Sequence, residues 1–111
     1  VMAAACRGAK EAGGTTVGIL PGLDRAAANP WVDVALPTGL GESRNALVVR
    51  AAGAVVAVAG GYGTLSEVAL ALKTGVPVIG LSTWDIRGVR AATSAEEAAR
   101  LALEAAAGPT A

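Results

Sequence analysis

Residues 54–59 read Ala-Val-Val-Ala-Val-Ala, an unbroken apolar run followed at once by Gly60-Gly61-Tyr62-Gly63-Thr64 and then by a helical pattern. A strand that is apolar on both faces must be covered on both faces, a condition met in parallel α/β sheets and not in half-solvated antiparallel ones. Two more runs of this kind, at residues 15–21 and 76–81, repeat the pattern. Helical segments are expected at residues 1–12, stopped by Gly13-Gly14, at 42–52, stopped by Gly53, and at 64–74, stopped by Gly75. The third of these carries Leu65, Val68, Ala69 and Leu72 on one stripe. Ser94 with Glu97 three residues later has the spacing of a capping box and predicts a last helix through Ala106. Residues 31–36 alternate as a half-exposed strand, with Val32, Val34 and Leu36 facing inward and Asp33 outward. The nine residues 22–30 are long for a simple turn and form a candidate binding loop. Short apolar strands alternating with helices predict an α/β fold with a parallel sheet and helices on both faces.

Composition narrows the chemistry. At 111 residues and 53% hydrophobic, the chain is expected to form a single domain over residues 1–111. It has two Trp, one Tyr and no Phe, so the core must be built from Ala, Val, Leu and Ile, and no large aromatic binding platform is expected. Nine Lys and Arg balance nine Asp and Glu, which leaves no long-range field to draw nucleic acid or an anionic membrane. The absence of His and the single Cys6 remove the ordinary zinc site, the Ser-His-Asp triad and an internal disulfide. No metal and no resident cofactor are expected. No segment has the charged and apolar regions of a signal peptide or the length of a membrane span, so the expected compartment is the cytoplasm. The chain begins on Val1 within a helical pattern, and the fold is expected to be N-terminally incomplete.

In parallel sheets, ligands bind beyond the carboxyl ends of strands, which is where Gly60 to Thr64 falls. Glycines at 60, 61 and 63 permit positive φ and let a phosphate approach without meeting Cβ atoms, while the next helical turn points its free N–H groups at it. A tight strand-to-helix turn would also use glycine here, and both readings stand on the residues alone. Ser66 occupies the place of the third glycine of a dinucleotide motif, and the Walker lysine is absent. Arg44 falls in the first turn of its helix, where the macrodipole disfavours a cation, and heads the stripe Leu47, Val48, Ala51; it either binds a ligand or snorkels beside Glu42. Glu67 completes a capping box with Thr64 and also projects away from the Leu65, Val68, Leu72 stripe, so capping and a role in a cleft are both open. Asp85 reads as a solvated loop residue or a mimic of a ribose-binding acid, and Arg25, Arg87 and Arg90 as solvated charges.

Gly60-Gly61-Tyr62-Gly63-Thr64-Leu65-Ser66-Glu67 resembles the Pro-Gly-Gly-x-Gly-Thr-x-x-Glu motif of LOG-type (Lonely-guy, "lysine decarboxylase-like") proteins. Gly39-Leu40-Gly41-Glu42-Ser43-Arg44-Asn45 is similar to the Arg-bearing helix start of that family, and Arg44 precedes Glu67 by the expected 23 residues. The resemblance implies a Rossmann-like, usually dimeric, nucleotide-binding fold in which some members hydrolyse the N-glycosidic bond of nucleoside 5′-monophosphates. It implies that Gly60, Gly61, Tyr62, Gly63 and Thr64, with Arg44 and Asn45, hold the phosphate-bearing ligand, and that Arg44 and Glu67 form the catalytic pair. Ala59 stands where the motif has Pro, and Asn45 where cytokinin-activating members have Lys. The Gly-Leu-Gly-x-x-Arg-Asn pattern looks closer to the branch that includes molybdenum cofactor carrier proteins.

Two functions follow as expectations: hydrolysis of a nucleoside 5′-monophosphate, and non-catalytic carriage or sensing of a phosphate-bearing small molecule such as molybdenum cofactor. A homodimer is expected from the apolar girth of residues 42–52.

Overall fold

In the computed structural model, which describes residues 1–107, every strand pairing is parallel. The chain divides into two compact units, Val1–Arg44 and Asn45–Ala111. The boundary falls one residue into a helix.

The first unit contains helix α1 (Met2–Glu11), strand β1 (Val17–Leu20), a 3-10 turn at Arg25–Ala27, strand β2 (Val34–Pro37) and a second 3-10 turn at Gly41–Ser43. Helix α1 stops where Gly13 takes φ 81 and the Gly14 N–H donates to the Ala9 carbonyl at 2.7 Å. Strands β1 and β2 pair from Val17 opposite Val34 to Leu20 opposite Pro37. The second strand starts at Val34 and not at Trp31, because residues 31–33 are engaged elsewhere. The Thr16 hydroxyl donates to the Trp31 carbonyl at 2.6 Å, the Thr16 N–H donates to Asp33 Oδ2 at 2.9 Å, and the Asp33 N–H donates to Thr16 Oγ1 at 2.8 Å. The predicted phase of this strand is also corrected: Val34 and Leu36 are 44% and 47% exposed, while Ala35 and Pro37 are more covered. The residues at 22–30 form the turn Arg25–Ala27, opened by Asp24 Oδ1 accepting from the Ala26 N–H at 2.9 Å.

The Lys10 ammonium 2.7 Å from Asp33 Oδ1, together with the Thr16 amide, holds the Asp33 carboxyl below the usual carboxylate range. A lowered folded-state pKa adds stability above the unfolded value of about 3.9, and that stability is lost as pH falls through the folded value. Asp33→Asn is therefore expected to melt earlier than the parent chain at neutral pH, and the gap is expected to close in thermal melts taken below that range. A gap that does not change with pH would mean that Asp33 contributes through hydrogen-bond geometry alone.

The second unit continues helix α2 (Arg44–Ala51) into strand β3 (Val55–Val58), helix α3 (Tyr62–Thr74), strand β4 (Val78–Leu81), strand β5 (Arg90–Ala92) and helix α4 (Ala95–Ala107). The sheet order is β3-β4-β5. Successive residues of a strand face opposite sides, and β4 sends them to two different helices. Val78 packs with Val68 and Ala71 of α3, with Ala57 of β3 and with Val49 of α2, whereas Ile79 packs with Ala92 and with Ala98 and Leu101 of α4. Helices thus cover both faces of this sheet, as expected for an α/β fold. Gly80 follows them on β4, where a Cβ would come within 2.8 Å of Thr83 Cγ2 and Val89 Cγ1.

Helix α3 closes on Gly75 at φ 78, and α4 opens as predicted, with the Glu97 N–H donating to Ser94 Oγ at 3.1 Å and the Thr93 N–H donating to Glu97 Oε1 at 3.0 Å. Strand β5 was not anticipated; three residues headed by Arg90 are too few to show a period. On α2 the buried pair is Asn45 and Val49, with Leu47 and Ala51 exposed, so the predicted inward stripe of Leu47, Val48 and Ala51 is rotated.

Candidate functional site: a glycine loop beyond strand β3

Strand β3 ends at Val58, and the next two residues turn the chain through positive φ, Ala59 at 49 and Gly60 at 117. Ala59 remains tied to the sheet by its N–H, which donates to the Leu81 carbonyl at 3.1 Å. Proline fits neither that φ nor that hydrogen bond, which explains why this chain departs from the motif at position 59. A non-glycine residue in this region costs roughly 1–2 kcal/mol, and glycine's extra unfolded freedom returns roughly 0.5–1 kcal/mol of that. Ala59→Gly is accordingly expected to stabilise the chain by about 0.5–1 kcal/mol in urea denaturation; a loss of stability would show that the turn is unstrained.

Gly60 requires glycine for a second reason, since its Cβ would stand 2.5 Å from Thr64 Oγ1. Gly61 and Gly63 differ from it, and of the three glycines that permit positive φ only Gly60 takes it. Gly61 is extended, at φ −92, and caps α3, while Gly63 is already inside the helix. Nothing lies within 4 Å of the Cβ positions of either residue. Their lack of a side chain leaves open space over the first turn of α3, where the amides of Tyr62, Gly63 and Thr64 precede the helix's own acceptors. The arrangement offers an anion three amide donors and the positive end of a 13-residue helix.

The start of α3 at Tyr62 changes the reading of Thr64 and Glu67. Thr64 is a helical residue and not the N-cap, and no side-chain cap hydrogen bond opens the helix, so the predicted capping box is absent. Glu67 is half-buried in the second turn, one residue before the fully buried Val68. Arg44 is half-buried and donates from Nη1 to the Ile19 carbonyl of β1 at 3.0 Å, which answers the question of what offsets its position at a helix start. Asn45 is 7% exposed and shares a helix face with Val49. The structure therefore gathers Gly60, Gly61, Tyr62, Gly63, Thr64 and Glu67 on one loop and helix. Arg44 belongs to the other unit.

A second loop, after β4, carries Asp85, which the sequence leaves as a solvated residue or a mimic of a ribose-binding acid. Ser82 takes φ 52, Thr83 Oγ1 donates to the Ala59 carbonyl at 2.5 Å, and Trp84 Nε1 donates to the Gly61 carbonyl at 3.3 Å. The Trp84 ring stacks against Tyr62 with centroids 6.3 Å apart and planes 24° apart. Between the two loops lies an open cleft of about 460 Å³, lined by Ala59, Gly60, Ser82, Thr83, Trp84 and Asp85. Sequence singles out Asp85 in this loop but not Thr83 or Trp84, whose bonds to Ala59 and Gly61 leave no local pattern.

Among the described residues, no helix is long and apolar enough to cross a membrane. The model of the SLOG cluster4 family matches residues 1–109. An uncharacterized protein of Archaeoglobus fulgidus is 41% identical over 99 residues, which cover 88% of this chain and 65% of that protein. The chain thus spans just under two thirds of that relative. Among solved structures, the molybdenum cofactor binding protein of the phototrophic bacterium Rippkaea orientalis is 40% identical with a TM-score of 0.78, covering 90% of this chain and 68% of that one. The molybdenum cofactor carrier protein of Chlamydomonas reinhardtii is 39% identical with a TM-score of 0.80, covering 93% and 69%. These likenesses agree with the parallel strands and flanking helices of a Rossmann-like fold and with the motif around Gly60. By its sequence over nearly its whole length, the chain belongs to the SLOG cluster4 family.

Proposed function

We propose that this chain binds a phosphate-bearing small molecule of the molybdenum cofactor type and carries it unchanged, with the phosphate seated over the first turn of α3. The observation that carries this reading is the open space above Gly61 and Gly63 beside three helix-start amides. Similarity to a cofactor binding protein and a cofactor carrier supports carriage over chemistry. Incubation with AMP tests it directly: the expected result is binding with no release of adenine. Sustained adenine release would replace carriage with hydrolysis.

Hydrolysis of a nucleoside 5′-monophosphate is the second reading, favoured by the half-buried Glu67 on the same helix as the glycine loop. A carboxylate there would stabilise a cationic sugar. In that case Glu67→Gln lowers adenine release on the order of 100-fold or more while phosphate binding changes little, because the substitution removes the carboxylate charge and leaves the helix-start amides in place.

We also propose a homodimer in the cytoplasm. Leu47 and Ala51 lie exposed on α2, on the side away from Asn45 and Val49. Sedimentation at micromolar concentration is expected to give a dimer that Leu47→Glu weakens; a monomeric parent chain would overturn it.

A further inference from the structure

Parallel strands are joined by crossovers that commonly run to a dozen or more residues and contain a helix. Strands β4 and β5 are joined by residues 82–89 alone, without one. The short path shows at its first residue, where Ser82 takes φ 52, a conformation that favours glycine. The second half of the connection is anchored in the core. Ile86 and Val89 pack against the cluster that contains Val68 and Val78, and Gly88 lies so near α3 that a Cβ would stand 3.1 Å from Leu72 Cδ2. The first half reaches across to the glycine loop through Thr83 and Trp84, both half-buried.

In a trans peptide unit the carbonyl and the N–H point in opposite directions, so a bond that fixes one fixes the other. Thr83 Oγ1 donates to the Ala59 carbonyl and thereby holds the Ala59–Gly60 unit, just past Val58, the last residue of β3 in register with β4. Trp84 Nε1 donates to the Gly61 carbonyl and acts on the unit that carries the Tyr62 N–H, the first of the helix-start amides. Both units adjoin a glycine, whose permissive backbone resists their rotation little. The Leu65 N–H also donates to the Gly61 carbonyl, at 3.1 Å, so the second unit is held twice and the Thr83 bond is the larger restraint. Thr83 is itself set by packing: its Cγ2 lies over Gly80, where a Cβ would come within 2.8 Å, and a β-branched side chain with its methyl fixed there has its hydroxyl fixed too. The Tyr62 ring, 85% exposed, stacks on Trp84 and steadies the indole.

We propose that Thr83 and Trp84 are positioning residues of the glycine loop. The core-anchored connection after β4 sets the peptide units on either side of Gly60 and so aims the amides of the loop before any ligand arrives, with Thr83 the principal restraint and neither side chain required to touch the phosphate. For its ligand this rests on the phosphate-binding reading of the loop; the restraint itself rests on the two hydrogen bonds.

Calorimetric titration of the full chain with ribose 5-phosphate and amide NMR of the ligand-free chain test the ligand and the restraint separately. Thr83→Val keeps the methyl on Gly80 and loses the hydroxyl, whereas Thr83→Ser keeps the hydroxyl and loses the methyl. Thr83→Val is expected to weaken ribose 5-phosphate about tenfold and to shift or broaden the Gly60 amide resonance, and Thr83→Ser to restore both. Trp84→Phe keeps a ring against Tyr62 but no N–H donor; it is expected to weaken binding about threefold and to move the Tyr62 amide resonance. Circular dichroism melts check that each variant folds. Affinity kept in Thr83→Val and lost in Thr83→Ser would make Thr83 a packing residue and overturn the proposal, as would parent-like affinity in both Thr83→Val and Trp84→Phe. A parent chain that does not bind ribose 5-phosphate, but whose Gly60 resonance responds to Thr83→Val and recovers in Thr83→Ser, overturns the phosphate reading and sustains the restraint. Absence of both the binding and the response overturns both.

Discussion

Gly60→Ala is expected to lower the free energy of unfolding by about 2–6 kcal/mol, from backbone strain of about 1–3 kcal/mol and overpacking of about 1–3 kcal/mol. Two independent causes act at one atom. At φ 117 the residue lies beyond the left-handed well that Asn or Asp tolerate, so no ordinary side chain relieves the strain. The added methyl also meets the body of Thr64, within 2.6 Å of Cγ2, and Thr64 cannot withdraw because it belongs to the first turns of α3. Domains of this size have about 5–15 kcal/mol in total, so the variant is expected to be largely unfolded at a temperature the parent chain survives. A Thr64→Gly background removes the steric part and leaves the strain, and the double-mutant cycle separates them. Gly63→Ala is the control, expected to gain about 0.5–1 kcal/mol because its position is helical and open. If Gly60→Ala costs no more than Gly63→Ala, the turn does not have the geometry described above.

Those two glycines also mark the limit of what the residues disclosed. Sequence alone located the loop, because a run apolar on both faces must be a covered strand and a glycine cluster after it must turn into a helix. It did not distinguish three glycines that look alike in a motif. Gly60 is fixed by the backbone, whereas Gly61 and Gly63 have room for a side chain and owe their presence to something outside the chain or to nothing. The helix start was misplaced by two residues for a related reason. Thr64 with Glu67 has the spacing of a capping box, yet Gly61 takes the cap, so the hydroxyl is not needed there. The same signature at Ser94 and Glu97 was read correctly, since no glycine precedes it to compete.

The continuous apolar run was dependable for β4, which is buried from Val78 to Gly80, and poorer at β1, read as a buried strand although Val17 is 55% exposed, and at β2. Around β2 the alternation of Val32, Val34 and Leu36 indicated an inward face, but Thr16 and Asp33 exchange hydrogen bonds just before the strand and set its phase. Long-range side-chain to backbone bonds of this kind leave no local pattern. In the Ser82 to Asp85 loop Asp85 stood out, but Thr83 and Trp84 were illegible for the same reason: their bonds to Ala59 and Gly61 join residues 24 and 23 positions apart.

Gly63→Val is expected to reduce affinity for ribose 5-phosphate on the order of 100-fold or more while leaving the helix content unchanged. Valine is a better helix residue than glycine, and its Cβ enters space with no protein atom within 4 Å, so the fold has no reason to resist it. That same space is where a phosphate must come to within about 2.9 Å of the Gly63 and Thr64 amides. Two charge-assisted hydrogen bonds are worth about 1.5–3 kcal/mol each, and each 1.4 kcal/mol is about tenfold in affinity. Losing both therefore accounts for roughly two to four decades. Gly63→Ala should fall between, since one methyl crowds the amides without filling the space. Calorimetry with the parent chain and both variants, alongside their far-ultraviolet circular dichroism, reads affinity and fold independently. An unchanged affinity in Gly63→Val would return residues 60–64 to a strand-to-helix turn, and a loss of affinity that tracks a loss of helix would attribute the effect to folding.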